Sequence, residues 1–179
     1  GAASAPFLDS SYKPEAFYAM EAVPRGSWAN WFRLDLQGGV QHESNGKAGQ
    51  DSRSLNIAYV QPTVVFGTAD GFQFTLAPRV WTYLGSLSDN ADLKDYRGYQ
   101  SVRATLGWAK GPQLSALGRL GDDANRGSIQ LDLSYPMMWF FDRSFSLYLH
   151  AQYFYGYGES LLQYNERGSA FRLGFSLYR

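Results

Sequence analysis

The 179-residue chain contains no cysteine. That excludes a disulfide framework, a thiolate metal site and a thiol nucleophile. It also has no excess of either charge: 16 basic and 16 acidic residues give a formal net charge of zero. A nucleic-acid-binding surface needs a basic excess, so no nucleic-acid partner is expected. Long apolar runs are missing as well. Nothing approaches the ~20 consecutive apolar residues of a membrane-spanning helix, and the mean hydropathy is −0.34. This last absence leaves two classes open. A soluble all-β protein and a transmembrane β-barrel both average to such a value, because their strands alternate apolar and polar residues. No stretch has convincing helical periodicity.

What the chain does have is alternation and aromatic residues, the latter 17% of the total. Strands are expected near Ala16–Pro24, Trp31–Ser44, Leu55–Phe66, Phe72–Leu84, Gly98–Ala109, Gln113–Leu120, Ile129–Met137, Phe145–Tyr157 and 169–177. In Trp31–Ser44, Leu34, Leu36, Val40, His42 and Ser44 share one face, and Arg33, Asp35, Gln37, Gln41 and Glu43 the other. Phe145–Tyr157 places Leu147, Leu149, Ala151, Tyr153, Tyr155 and Tyr157 together. Arg33, Asp35, Arg79, Arg103, Arg119, Asp132 and Arg172 all fall on polar faces, which suggests a lumen filled by paired charges. Strands of 9–11 residues can cross a bilayer when tilted. Connections near 25–30, 67–71 and 110–113 are short, whereas those at 85–97, 121–127 and 158–168 are long, as in outer-membrane barrels. The expected fold is therefore all-β: residues 1–14 an irregular lead-in, and residues 15–179 a single antiparallel transmembrane β-barrel domain. Nine is an odd count, and closed bacterial barrels of this type have even ones. The pattern thus predicts at least one further strand before residue 1.

One stretch points to chemistry. In His42-Glu43-Ser44-Asn45-Gly46, the histidine and serine stand two residues apart on a strand and so share a face. Asn56 opens the next apolar run with the same parity, so a hairpin places it beside His42. Hydroxyl, imidazole and amide then form a Ser-His-Asn arrangement: a weak nucleophile, a base to take its proton, and an orienter of the base. An amide costs less than a carboxylate beside hydrocarbon. These residues lie on the apolar face, which in a barrel faces lipid. Of the other polar groups, His150 reads as a lumen hydrogen-bonder and Asp89, Asp92 and Asp95 as a solvated loop. The Tyr153–Tyr157 stripe and Trp139-Phe140-Phe141 read as membrane-interface girdles.

These residues resemble a known family, the outer-membrane phospholipases A. The likeness rests on His42-Glu43-Ser44-Asn45-Gly46 and on Ser52-Arg53-Ser54-Leu55-Asn56. Leu133-Ser134-Tyr135-Pro136 and Gly156-Tyr157-Gly158-Glu159-Ser160-Leu161 with Tyr164-Asn165 support it. It runs from about Pro6 to the end. The resemblance implies a calcium-dependent phospholipase A1/A2 of the bacterial outer membrane that hydrolyses acyl esters of phospholipids and lysophospholipids. It makes Ser44 the nucleophile, His42 the general base and Asn56 its orienter, with the Gly46 N–H as an oxyanion donor. It assigns Ca2+ to the Ser52 hydroxyl and the Lys47 carbonyl, with Ser4 of a second copy completing the site in a calcium-dependent homodimer. The family barrel has twelve strands, and this chain resembles the last nine. The alternatives are a barrel like the lipid A deacylases, which also use a His-x-Ser pair, and a non-catalytic barrel or inactive fragment.

Overall fold

The computed structural model describes residues 10–22, 30–88, 90–123, 125–137 and 147–177. Ser4, Pro24, Asp89 and the aromatic turn at 138–142 lie outside the described residues. Nine strands follow one another: β1 (Glu15–Ala22), β2 (Phe32–Ser44), β3 (Ser54–Gly67), β4 (Phe72–Leu84), β5 (Gln100–Trp108), β6 (Gln113–Leu120), β7 (Gly127–Pro136), β8 (Tyr148–Gly156) and β9 (Gly168–Ser176). Each pairs antiparallel with the next in a single sheet, with β1 and β9 at its two edges. Lys13, just before β1, and Arg172 of β9 line one cavity of about 250 Å³. The sheet therefore curls until its two ends face a common interior.

The two faces sort as the alternation predicts. Outward positions stay exposed, among them Leu34, Leu36 and Val40 of β2, Val102, Leu106 and Trp108 of β5, and Phe171, Leu173 and Phe175 of β9. Thirty-one large hydrophobic residues are exposed against eight that are buried, among the described residues. A chain stable in water buries such side chains; this inside-out distribution fits lipid as the solvent. Inward positions carry the charges, and several pair: Arg79 with Glu15 at 2.6 Å, Arg103 with Asp132 at 3.6 Å, and Arg172 with Glu159, whereas Arg119 donates to the Ser128 hydroxyl and the Gly158 carbonyl. His150 Nε2 lies 2.8 Å from Ser176 Oγ, the hydrogen-bonding role expected of it.

Three expectations need correction. The chain is not strand-only. The connection after β4 contains a short helix, α1 (Leu93–Arg97), and the one after β2 contains a 3-10 turn at Gly49–Asp51. The first of these connections is solvated only in part: Asp92 is exposed, as expected, but Asn90, Leu93 and Arg97 are buried. Leu93 is completely buried and packs with Leu55 and Ile57 of β3, with Leu161 and Tyr164 from the β8–β9 connection, and against Trp81, Tyr83, Leu87 and Tyr96. Asp92 accepts a hydrogen bond from the Tyr164 hydroxyl, and Arg126 bridges to Asp95 at 3.8 Å. Five residues are too few for helical periodicity to register in the sequence, and the burial comes from partners far along the chain. The tyrosine stripe is also shorter than expected. Tyr153 and Tyr155 face outward, but Gly156 has φ +130 and breaks the alternation. Tyr157 packs 5.2 Å from Tyr96 and beneath the Arg167 guanidinium instead. The long connections thus meet over one end of the sheet and form the main apolar core there, directly behind the end of β2.

Candidate active site

The site stands on the last residues of β2 and the first of β3. Antiparallel register sets His42 opposite Asn56 and Ser44 opposite Ser54. Because facing residues of a ladder point to the same side, His42, Ser44 and Asn56 share the outward face. Their neighbours Glu43, Leu55 and Ile57 are buried on the inner one. The parity read from the sequence holds.

His42 Nδ1 lies 2.8 Å from Asn56 Oδ1. An amide oxygen can only accept, so Nδ1 carries a proton, and in the neutral ring Nε2 is the nitrogen with the lone pair. Ser44 stands two residues on, roughly 7 Å along the backbone. No hydrogen bond joins its hydroxyl to the ring among the described residues, a looseness common before substrate binds. Asn56 is exposed, and His42 and Ser44 are partly so, on the side that faces the membrane.

The chain before β1 helps to hold the serine. Tyr12 N–H donates to the Ser44 carbonyl at 2.8 Å, and Ser44 N–H donates to the Tyr12 carbonyl at 3.0 Å. The Tyr12 ring lies over Gly46. A Cβ on Gly46 would come within 2.8 Å of it, and Gly46 has φ +67, so both space and backbone require glycine there.

Asn45 was not assigned a role from the sequence, yet it organises the loop. It is 3% exposed. Its Oδ1 accepts from Arg53 N–H at 3.0 Å and Lys47 N–H at 3.3 Å, and its Nδ2 donates to the Asp51 carbonyl at 2.8 Å. The bond to Lys47, two residues on, is the Asx turn that an Asn-Gly pair favours, and it was the available signal. This clamp folds residues 46–53 into a closed loop that brings Lys47 and Ser52 near the serine. It carries two cations, Lys47 and Arg53, and its oxygen donors are backbone carbonyls, the Ser52 hydroxyl, the Gln50 amide oxygen and the Asp51 carboxylate. Such a set suits a hard cation like calcium in kind. It falls short in number, since among the described residues no three acidic or histidine side chains gather to hold a metal. Ser4 lies outside the described residues.

The second unassigned feature is behind the strand. Glu43, between His42 and Ser44 in sequence, points inward and is 5% exposed. It takes Arg97 Nη1 at 2.8 Å on one oxygen, and Ser11 Oγ at 2.9 Å and Lys13 Nζ at 3.3 Å on the other. A buried carboxylate requires such partners. Nothing in the local sequence identifies Arg97, 54 residues away.

Comparison with known proteins supplies a matching family model and several relatives. A family model described as phospholipase A1 matches residues 1–177. The chain is 31% identical to the phospholipase A1 of Salmonella typhimurium over 163 residues, which is 90% of this chain and 51% of that protein. It therefore spans about half the length of the curated relatives it matches. The solved outer membrane phospholipase A from Escherichia coli superposes with a TM-score of 0.79 at 28% identity, covering 97% of this chain and 62% of that one. A Salmonella typhi outer membrane phospholipase, solved as a dimer with bound calcium, superposes with a TM-score of 0.79 at 27% identity, covering 96% and 62%.

Proposed function

The chain belongs to the phospholipase A1 family, and from that premise we propose that it hydrolyses acyl ester bonds of phospholipids and lysophospholipids in the bacterial outer membrane. The observation that supports this most directly is the 2.8 Å contact of His42 Nδ1 with Asn56 Oδ1 on the same outward face as Ser44. It leaves Nε2 as the free base beside a serine that faces the substrate's own solvent.

In this reading Ser44 Oγ attacks the ester carbonyl as His42 Nε2 takes its proton. Charge then gathers on the carbonyl oxygen, and the Gly46 N–H is its backbone donor. The tetrahedral centre collapses with loss of the lysophospholipid alkoxide, which takes the proton back from His42. A water then attacks the acyl-serine with His42 again as base; collapse releases the fatty acid and the Ser44 oxygen, which takes the proton back from His42. Asn56 holds the ring in one tautomer throughout. The outward face lets the ester arrive by lateral diffusion in the membrane, with no passage through the lumen.

The loop at 46–53 is the proposed calcium site, with the Ser52 hydroxyl and the Lys47 carbonyl as ligands. Bound calcium supplies positive charge near the developing oxyanion. Two protein oxygens are few for an ion that takes six to eight. Waters and a second copy of the chain complete the set in the proposed calcium-dependent homodimer, with Ser4 the donor from the partner.

The test is Ser44→Ala in detergent micelles containing phospholipid and calcium. Hydrolysis is expected to fall to background while the folded electrophoretic mobility stays. Turnover retained by that variant excludes Ser44 as nucleophile.

A further inference from the structure

We propose that the buried Glu43–Arg97 pair is a positioning device that orients His42 and Ser44 from inside the barrel and makes the α1 connection a determinant of turnover. The inference deepens the acyl-hydrolase reading and rests on it.

Ser44 is the last residue of β2, so the pleat that aims its side chain has no further strand to hold it. The flanking peptide units of His42 and Ser44 are both those of Glu43. Whatever fixes the Glu43 side chain therefore fixes the outward aim of its two neighbours. Glu43 is held at both oxygens: Arg97 on one, Ser11 and Lys13 on the other.

Arg97 is itself held from several sides. It is 5% exposed and closes α1. The next residue, Gly98, donates its N–H to the Lys94 carbonyl and accepts at its own carbonyl from the Tyr83 hydroxyl at 2.9 Å. Leu93 is locked in the apolar core, and Asp92 is bonded to Tyr164. Gly158 passes so close that a Cβ there would come within 2.8 Å of Arg97 Cγ. The connections after β4 and β8 thus meet at the Arg97 side chain, whose Nη1 bonds the residue between the base and the nucleophile. On the outward side the side-chain bond among the described residues is the His42–Asn56 contact, while the backbone is paired in the sheet to Tyr12 and Pro14 and to β3.

Removing one partner alone leaves a buried unpaired charge and endangers folding. The test therefore uses the neutral double variant Glu43→Gln/Arg97→Met of the full-length protein. Fold is read by electrophoretic mobility, and kcat and KM in mixed micelles. A shift of the strand end by a fraction of an ångström is expected to lower kcat by about tenfold or more while KM changes less than about twofold. Labelling of Ser44 by a sulfonyl fluoride is expected to slow in parallel. Arg97→Lys, which keeps the charge, is expected to recover most of the kcat. Arg103→Met, which breaks a different lumen pair, that with Asp132, is expected to leave kcat unchanged. Wild-type kcat in the double variant overturns the proposal, as does an equal loss in Arg103→Met. If the double variant loses its folded mobility, Glu43→Asp makes the same test, since it keeps the charge and shortens the reach: reduced kcat at constant KM supports the proposal, wild-type kcat overturns it. A Ser44→Ala protein that still hydrolyses ester defeats the underlying reading instead, so the two failures are distinct.

Discussion

Asn56 occupies a position where its chemistry and its surroundings pull in different directions. Orienting an imidazole calls for an acceptor, which a carboxylate provides best. The outward face beside hydrocarbon penalises a charge. An amide oxygen at 2.8 Å from His42 Nδ1 meets both demands. Asn56→Ala is expected to lower kcat by roughly one to three orders of magnitude, less than loss of the nucleophile, because the base survives but samples the wrong orientations. Steady-state kinetics on phospholipid micelles measure this. A loss equal to that of Ser44→Ala means that Asn56 does more than orient.

The loops at this end of the sheet are elements in their own right. Asn45 closes the one that carries Lys47 and Ser52, and truncating it to alanine leaves two part-buried N–H groups and one carbonyl without their partner. Each such loss costs about 1–3 kcal/mol where water cannot replace the bond. Asn45→Ala is therefore expected to weaken calcium activation, read as a rise in the calcium concentration needed for half-maximal activity, with the barrel still folded. Unchanged calcium dependence would mean that the loop holds its shape without this clamp. The β8–β9 connection offers a different test. Burial, reinforced by the hydrogen bond to Asp92, pushes the Tyr164 hydroxyl up to about 12. Its unfolded value is near 10. Between these values the folded loop binds a proton that the unfolded chain has released, so stability falls as pH rises through this window. The contribution is complete below pH ~10 and gone above the folded value. The difference in absorbance at 295 nm between the protein and its Tyr164→Phe variant is expected to titrate near 12. Asp92→Asn should lower that midpoint only in part, since burial is the larger cause.

At the scale of the whole molecule, the outward apolar surface and the proposed loop-borne calcium ligands would connect membrane, metal and assembly. If Ser4 of a second copy completes the calcium shell, then binding of calcium and association are linked, and each strengthens the other by the same factor. Sedimentation equilibrium of the full-length protein in detergent, with and without calcium, is expected to show association tightening with the ion. Calcium activation of a strictly monomeric protein would refute the shared site. The solved dimer with bound calcium from Salmonella typhi makes this the appropriate experiment for a relative at 27% identity.

Much of this was legible in the chain because the strand has a period of two. Alternation alone sorts residues onto faces, so Leu34 and Val40 outward, Arg33 and Glu43 inward, and His42, Ser44 and Asn56 together all follow from counting. Nine strands in order, and connections longer at one end, follow in the same way. Tyr157 escaped because a single positive φ at Gly156 resets the count, and glycine is common enough that its presence does not announce a break. The helix Leu93–Arg97 escaped because five residues are under two turns. Contacts between loops obey no period. Which arginine meets Glu43, and that Leu93, Leu161 and Tyr164 close the mouth behind the serine, depends on chain segments 50 and more residues apart being brought over one end of the curled sheet. Only the tertiary structure could decide those pairings.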